Sequence, residues 1–556
     1  MNAAAFLTPS ALMRGGPHRF VTQVERALAH LGFDDVRNID GSGDMGGDIL
    51  GLKGRERWAI QCKWRKAGPD GTIDAEAVDQ VDLAKRVYGC EHAMLVTNAY
   101  LDGSARRRLA QLNRIGVGIK VVDASLLAAL VGELRDRTPA GFDLRPYQRE
   151  AADAVTAKLD ADGRALLVLA TGLGKTVVGG TVIGEHLERN PDGQVLVVAH
   201  MKDLVAQLEK ALWGHLTKQT PTHLLTGDVR PSNFDGVVCA TVESALGAVR
   251  HGYRPGLVMV DETHHVAEDG RFAELLDELD DARQFGVTAT PWRGDKYDIE
   301  NRFGRTVYKV GIADGMRKGY LAQVDYRLFL DNLDWHVVEE ASKYGYSLKE
   351  LNRKLFVPAR DAAVIDRLLH AWHRTKGGRA IIFCETVAHA GHIRDLLRQA
   401  LPEWRTTEAL HSGMRRRDRD VILAKFRRGD VPILCAVDVL NEGIDVPDVN
   451  IIAFMRVTHS RRIFIQQLGR GLRVRAGKDR VVVLDFVSDI RRIAAVMQLK
   501  QDLSGEQETV AVPWPSEITF SDAEAQSLME EWIADAASLE TANDEAVLDY
   551  PDPGGL

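Results

Sequence analysis

The run Thr171-Gly172-Leu173-Gly174-Lys175-Thr176 sets glycines before a lysine and a hydroxyl, the order that phosphate binding requires. Glycines let backbone N–H groups curl around phosphate oxygens, and the N-terminus of a following helix favours their negative charge. Lys175 can then reach the β and γ phosphates, and Thr176 can ligate magnesium, with Thr171, Gly172 and Gly174 forming the cradle. Leu169 stands where the first glycine of such a loop is usual. Further on, the apolar run Leu257–Val260 ends in Asp261-Glu262-Thr263-His264. A strand delivers this acidic pair at its carboxyl end, where open α/β sheets bind ligands. Asp261 can hold magnesium through water, and Glu262 can orient or deprotonate an attacking water.

A second constellation precedes the first. In Gln61-Cys62-Lys63, strand alternation puts Gln61 and Lys63 on one face. If Gly54-Arg55 is a two-residue hairpin loop, Asp48 lies directly opposite Gln61. One carboxylate, an amide oxygen and an ammonium group can bind a hard divalent cation, activate water and stabilise a pentacoordinate phosphorus. Glu25, on the preceding helix, is expected to add a carboxylate to the metal-binding set of Asp48 and Gln61. A glutamine where a second acid could stand removes charge from such a site. Dependence on millimolar magnesium or on manganese is the expected result.

The elements that must position these groups are legible from periodicity. An apolar helix around Val24–Leu31 precedes strands at Gly47–Leu52 and Trp58–Trp64, helix Ala75–Val87, strand Ala93–Asn98, helix Ser104–Ile115 and strand Gly118–Val122. Continuous apolar runs at Ala165–Ala170, Val195–Ala199, Val237–Ala240, Leu257–Val260 and Phe285–Thr288 read as buried strands of a parallel, doubly wound sheet. A second such series runs from near Ala380 to near Phe486.

Composition bounds what these elements can build. With 556 residues, 45% hydrophobic and 27% charged, the chain has the make-up of a multidomain globular protein, not of collagen-like or wholly disordered chains. Its five cysteines are scattered, with no pair two residues apart, which argues against a disulfide framework and for a reducing compartment, the cytoplasm. No apolar run is long enough to cross a bilayer and no signal peptide is visible, so membrane association is not expected. The net charge of −8 is uneven: residues 501–556 hold fourteen acidic and no basic residues, leaving 71 basic against 65 acidic before them. The body is mildly basic and the tail is a solvated or partner-binding segment.

The chain from 143 to 486 resembles superfamily 2 helicases and translocases of the DEAD/DEAH-like, restriction-subunit type. Leu144-Arg145-Pro146-Tyr147-Gln148 is similar to the adenine-reading segment, with Gln148 on the base edge. Ala199-His200 to Gln207 and Ala240-Thr241-Val242-Glu243-Ser244 resemble strand-tracking motifs, and Thr288-Ala289-Thr290-Pro291 the motif coupling hydrolysis to movement. In the second lobe, Ile381-Ile382-Phe383-Cys384 and His411-Ser412-Gly413 resemble backbone-contacting elements. Val439-Leu440-Asn441-Glu442-Gly443-Ile444-Asp445 resembles the motif shared between nucleotide and nucleic acid, which implies Gly443 and Asp445 as nucleotide-binding. Gln466-Gln467-Leu468-Gly469-Arg470-Gly471-Leu472-Arg473 fits QxxGRxxR, implying a nucleotide contact at Gln466 and arginine fingers at Arg470 and Arg473. The resemblance implies ATP and Mg2+ as cofactors. Thr263 departs from the usual alanine or cysteine of the acidic box.

Residues 17–130 resemble Mrr-type restriction endonucleases of the PD-(D/E)xK class, through Gly43-Asp44-Met45-Gly46-Gly47-Asp48 and Gln61-Cys62-Lys63. The implied fold is α/β: a PD-(D/E)xK nuclease-like αβββαβ domain followed by two RecA-like doubly wound parallel-sheet lobes. The expected domains are an Mrr-like endonuclease at 1–137, an ATP-binding lobe at 138–330, a connector at 331–360, a C-terminal helicase lobe at 361–500 and the acidic tail at 501–556. Basic runs at Arg106–Arg108, Arg415–Arg417 and Lys425–Arg428 can neutralise phosphates but are commonly solvated helix faces. His389 and His392 have metal-like spacing without a supporting cysteine pair and read as helix-surface residues.

The expected function is an ATP-dependent DNA helicase or translocase carrying a metal-dependent endonuclease, in restriction or anti-phage defence. Its partners would be double-stranded DNA and other defence-system subunits. The alternatives are a DNA-binding remodeller, or a repair or RNA-remodelling helicase, whose Mrr-like domain binds nucleic acid without cutting it.

Overall fold

Phe20, Val21, Val24, Ala27 and Leu28 recur at the spacing of one helical face. Gly15, at φ +84°, with Pro17 in the first turn starts them as helix α1 (Gly16–His30). The computed structural model describes residues 4–39, 47–138, 144–289, 298–329, 361–375, 378–437, 449–455 and 480–486. α1 packs on a five-stranded sheet of β1 (Asp34–Asn38), β2 (Ile49–Lys53), β3 (Glu56–Lys63), β4 (His92–Thr97) and β5 (Ile119–Val122), in that spatial order. The first three strands are antiparallel, and β4 and β5 add in parallel through crossover helices α2 (Ala75–Val87) and α3 (Gly103–Arg114). The αβββαβ order is present.

Gly54, at φ +65°, makes the tight turn of the β2–β3 hairpin. Lys53 faces Glu56 and Ile49 faces Ile60, the register expected of a Gly54-Arg55 loop. α1 covers one sheet face over Ile49, Ile60 and Cys62. Val78 and Val81 of α2, with Leu112 of α3, cover the other over Ala93 and Leu95.

Two lobes follow, each built on its own sheet of parallel strands. The first contains α4 (Pro146–Asp162), β6 (Arg164–Leu169), α5 (Lys175–Arg189), β7 (Val195–Ala199), α6 (Lys202–Leu212), β8 (Thr222–Leu225), β9 (Val237–Thr241), β10 (Leu257–Asp261), β11 (Arg283–Thr288) and β12 (Thr306–Val310). Its seven strands lie in the order β8-β9-β7-β10-β11-β6-β12. β7, β9 and β10 are buried from end to end, which is why they read as unbroken apolar runs in the sequence.

The second lobe contains β13 (Gln323–Phe329), α7 (Asp361–Arg374), β14 (Ala380–Phe383), α8 (Val387–Ala400), β15 (Glu408–His411), α9 (Arg416–Arg428), β16 (Ile433–Val437), β17 (Ile451–Phe454) and β18 (Arg480–Phe486). The order is β13-β18-β17-β14-β16-β15, all parallel. Trp404 is fully buried in its core, edge-on to Trp372 at 5.4 Å. The expected border at residue 330 shifts: Gln323–Phe329 pairs along its whole length with Arg480–Phe486 and so belongs to the second sheet. The expected connector at 331–360 and the acidic tail lie outside the described residues.

α1 is buried on both sides. Beyond its apolar face, Gln23, Glu25, Arg26 and His30 are each at most 4% exposed. Arg19 Nη1 donates to Glu209 Oε1 at 2.8 Å, Arg26 Nη2 to the Thr217 carbonyl at 3.0 Å, and Lys210 Nζ to Glu25 Oε1 at 2.6 Å. Lys218, fully buried, donates to the Leu134 carbonyl at 2.9 Å, while the Ala5 N–H bonds the Lys218 carbonyl at 2.9 Å. The first lobe thus covers the second side of α1 with partners for every charge it buries there, as burial of ionised groups requires.

Candidate active sites

β6 leads into the loop ending at Gly174, and α5 begins at Lys175. Gly172 and Gly174 have φ of +91° and +86°, the left-handed region that glycine enters without a Cβ clash. A Cβ on Gly174 would lie 2.6 Å from Gln148 Nε2, so the glycine also lets the base-reading candidate approach the loop. Gln148, 8% exposed, is anchored by accepting the Arg145 N–H through Oε1 at 3.0 Å.

The acidic box meets this loop. β10 ends at Asp261, and Glu262 takes φ +50°, a strained conformation for a side chain of its size. Lys175 Nζ donates to Glu262 Oε1 at 2.7 Å, and His264 Nδ1 lies 3.3 Å from Glu262 Oε2. Burial would raise the Glu262 carboxyl, but Lys175 and His264 outweigh it and hold it ionised. Burial, reinforced by Glu262, instead lifts Asp261 well above the usual carboxylate range. Asp261 Oδ1 is buried without a hydrogen-bond partner. An orphaned carboxylate oxygen beside a phosphate-type loop is the donor that a hard cation such as magnesium takes, so these residues fit a metal-bound nucleotide. Thr176 occupies the first turn of α5, next to Lys175.

Three imidazoles that no local sequence pattern connects cluster here, their rings tilted against one another. His200, just after β7, lies 3.8 Å from the His265 ring, and His265 lies 4.3 Å from His264. His264 Nδ1 also reaches Thr288 Oγ1, at 3.3 Å, at the end of β11. Thr263 is fully buried, and a Cβ on Gly286 would come within 2.4 Å of its Cγ2. Threonine is tolerated at this place in the box because the facing strand carries a glycine.

In the N-terminal domain the hairpin register brings Asp48 and Gln61 together. Asp48 Oδ2 accepts from Gln61 Nε2 at 2.8 Å and from the Cys62 N–H at 2.5 Å, with Asp48 5% and Gln61 2% exposed. The Gln61 Oε1 atom is buried with no hydrogen-bond partner. A carboxylate and an orphaned amide oxygen side by side are hard oxygen donors, so this pair fits a divalent cation. Lys63 is half-buried and on the same face of β3.

Glu25 does not join them. Gln61 is paired with Leu95, which faces α2, whereas α1 packs on the opposite face over Ile60 and Cys62. Glu25 is held instead by Lys210, and burial raises its carboxyl against that lysine's pull. Helical periodicity placed Glu25 on α1 but gave no sign of which sheet face α1 would cover. The expectation of Glu25 as a metal ligand is therefore corrected. Gly43–Gly46, Thr290, Pro291, Gly443, Asp445, Gln466, Arg470 and Arg473 lie outside the described residues.

Phosphate loop, acidic box and doubly wound sheet are the parts of a RecA-like nucleotide-binding fold, and the Asp-Gln-x-Lys hairpin belongs to a nuclease-type fold. Residues 12–131 match the Restriction endonuclease family of the Mrr catalytic type, 141–293 the Type III restriction enzyme res subunit family, and 361–475 the Helicase conserved C-terminal domain. The chain thus joins a segment that matches a restriction endonuclease domain to two segments that match restriction-type helicase domains.

It is 27% identical over 370 residues to irc3 of Schizosaccharomyces pombe, covering 63% of this chain and 58% of that protein. The Type I restriction enzyme EcoAI endonuclease subunit of Escherichia coli is 22% identical over 444 residues, 70% of this chain and 51% of that one. DNA 3'-5' translocase XPB2 of Sulfurisphaera tokodaii is 26% identical over 368 residues, 60% of this chain and 79% of its own. The chain spans little more than half the length of irc3 and of IRC3 from Saccharomyces cerevisiae, 58% and 51%. Among solved structures, the ATP-dependent Type ISP restriction-modification enzyme LlaBIII bound to DNA matches with a TM-score of 0.49 at 16% identity, over 86% of this chain and 37% of that one. Among the described residues, no helix is long and apolar enough to cross a membrane.

Proposed function

We propose that the chain hydrolyses ATP to translocate on double-stranded DNA and cuts that DNA with its N-terminal domain, within a cytoplasmic restriction or anti-phage system that includes other subunits. The observation that carries this reading is the Lys175–Glu262 contact of 2.7 Å beside buried Asp261, in the same compact unit as the Asp48–Gln61 pair.

For hydrolysis, the glycine loop with Thr171, Gly172 and Gly174 binds the phosphates, and Gln148 reads the base. Thr176 and Asp261 hold Mg2+, which when bound neutralises phosphate charge. With ATP present, Lys175 turns from Glu262 to the phosphates, which frees Glu262 to orient water and accept its proton. Gly443, Asp445 and Gln466 add nucleotide contacts, and Arg470 and Arg473 stabilise the charge developing on the transferred phosphoryl group. For cutting, Asp48 and Gln61 hold Mg2+ or Mn2+, and Lys63 stabilises charge on the scissile phosphate. With one carboxylate in that pair, millimolar metal is required.

The second reading, a remodeller or repair helicase whose N-terminal domain grips DNA without cutting, is favoured by Gln61 standing where an acid would strengthen metal binding. One assay separates them: ATP turnover with duplex DNA, single-stranded DNA or RNA, with plasmid cleavage scored in Mg2+ and Mn2+. Duplex-stimulated turnover with cleavage supports the first reading. Stimulation without cleavage in either metal supports the second, and stimulation by RNA alone rejects both.

A further inference from the structure

α6 has a role at each end. It begins two residues after His200, in the segment resembling a strand-tracking motif, and its last turn carries Glu209 and Lys210, which grip α1. An eleven-residue helix spans about 16 Å, so one rigid element joins these places. Glu25, 1% exposed, accepts from Lys210 Nζ at 2.6 Å, and its carboxylate also interacts with the Asn38 backbone on β1, the strand that follows α1. Asn38 ends β1. The next residue, Ile39, donates its N–H to the Asp48 carbonyl at 2.7 Å, and the Asp48 carboxylate holds Gln61. A path of contacts therefore runs from the motor's α6 through Lys210 and Glu25 to β1 and the backbone of Asp48.

We propose that Lys210 and Glu25 are positioning residues that transmit DNA engagement by the first motor lobe to the nuclease hairpin. Duplex bound along the segment after β7 shifts α6, and Lys210 carries that shift through Glu25 to β1 and so to the placement of Asp48 beside Gln61. This rests on the motor reading of the first lobe and adds a route by which the motor licenses the cutter.

The test is hydrogen exchange on the full chain, with and without a plain DNA duplex, in the parent, Lys210→Met and Lys210→Arg. Duplex should change exchange in both α6 and the β2–β3 hairpin of the parent and of Lys210→Arg, which keeps the cation. In Lys210→Met the α6 response should persist and the hairpin response should vanish, with DNA-stimulated ATP turnover within about twofold of the parent. The double variant Glu25→Lys with Lys210→Glu, which restores the pair in reverse, should recover the hairpin response. A hairpin that responds equally in parent and Lys210→Met, or in neither, overturns the route while leaving the motor assignment standing. No response in α6 of the parent removes the input itself and counts against the strand-contact assignment as well. Global loosening of Lys210→Met would appear as faster exchange without duplex, and the charge-reversed double variant separates it from loss of transmission.

Discussion

Glu209 is the hinge of the interface between α1 and the first lobe, and its removal has a calculable cost. The side chain is 1% exposed, accepts from Arg19 at 2.8 Å and from Thr222 Oγ1 at 2.7 Å, and faces the fully buried Arg26. Burial alone would raise its carboxyl, but Arg19, Thr222 and Arg26 together hold it below the ordinary value. Glu209→Leu would leave two guanidinium groups with no facing carboxylate. Breaking a buried pair by deleting one partner costs about 3–5 kcal/mol. At about 2 °C per kcal/mol for a large domain, the first melting transition should fall by about 6 °C or more. Replacing all three charges, Arg19→Met, Arg26→Met and Glu209→Leu, should recover most of that loss, because no desolvated charge then remains. Calorimetry on the full chain, with hydrogen exchange over Phe20–Leu28 as the local readout, measures both. If Glu209→Leu melts within about 1 °C of the parent, or the triple variant is the least stable, the buried-network account of the interface is wrong.

Other perturbations follow from the same geometry. Gly174→Ala, forced to φ +86° with its Cβ 2.6 Å from Gln148 Nε2, should weaken binding of a fluorescent ATP analogue by about tenfold or more, whereas unchanged affinity would contradict the loop assignment. Gly286→Ala, whose Cβ would lie 2.4 Å from Thr263 Cγ2, should cost about 1–3 kcal/mol in a denaturant melt, and Thr263→Ala added to it should restore most of that. Burial, with help from Arg26, pushes His30 from 6.5 down to about 4, and burial with Arg137 does the same to His215. The native state therefore binds fewer protons than the unfolded chain between these values. Their contribution is full above pH 6.5 and is lost as pH falls toward 4, by about 3 kcal/mol for each histidine. Thermal scans across that range should show a shallower decline in His30→Gln than in the parent, and parallel curves would refute the assignment.

The hairpin was legible because a two-residue loop fixes its register, and a residue pair thirteen apart in sequence could be matched by alternation alone. β7, β9 and β10 were legible because strands buried on both faces read as unbroken apolar runs. β1, spelled Asp-Asp-Val-Arg-Asn, carries no such pattern, since it is an edge strand with exposed ends. Nothing in the sequence marks Arg26 and His30 as buried or Glu25 as turned from the hairpin, and only the lobe packed against them reveals it. The His200–His265–His264 cluster joins residues on two strand ends that the sequence keeps sixty-odd positions apart, a proximity no local pattern encodes. The partner of Gln323–Phe329 lies beyond residue 480, so a strand that follows the first lobe in sequence belongs to the second sheet in space.

The measurement that bears most directly on a motor carrying its own nuclease is a two-variant comparison on one closed plasmid, with phosphate release and strand cleavage followed in the same tube. Asp48→Ala should keep DNA-stimulated ATP turnover and lose cleavage, while Glu262→Gln should lose turnover by about a hundredfold or more. Parent-level cleavage by Asp48→Ala, or parent-level turnover by Glu262→Gln, would contradict the account.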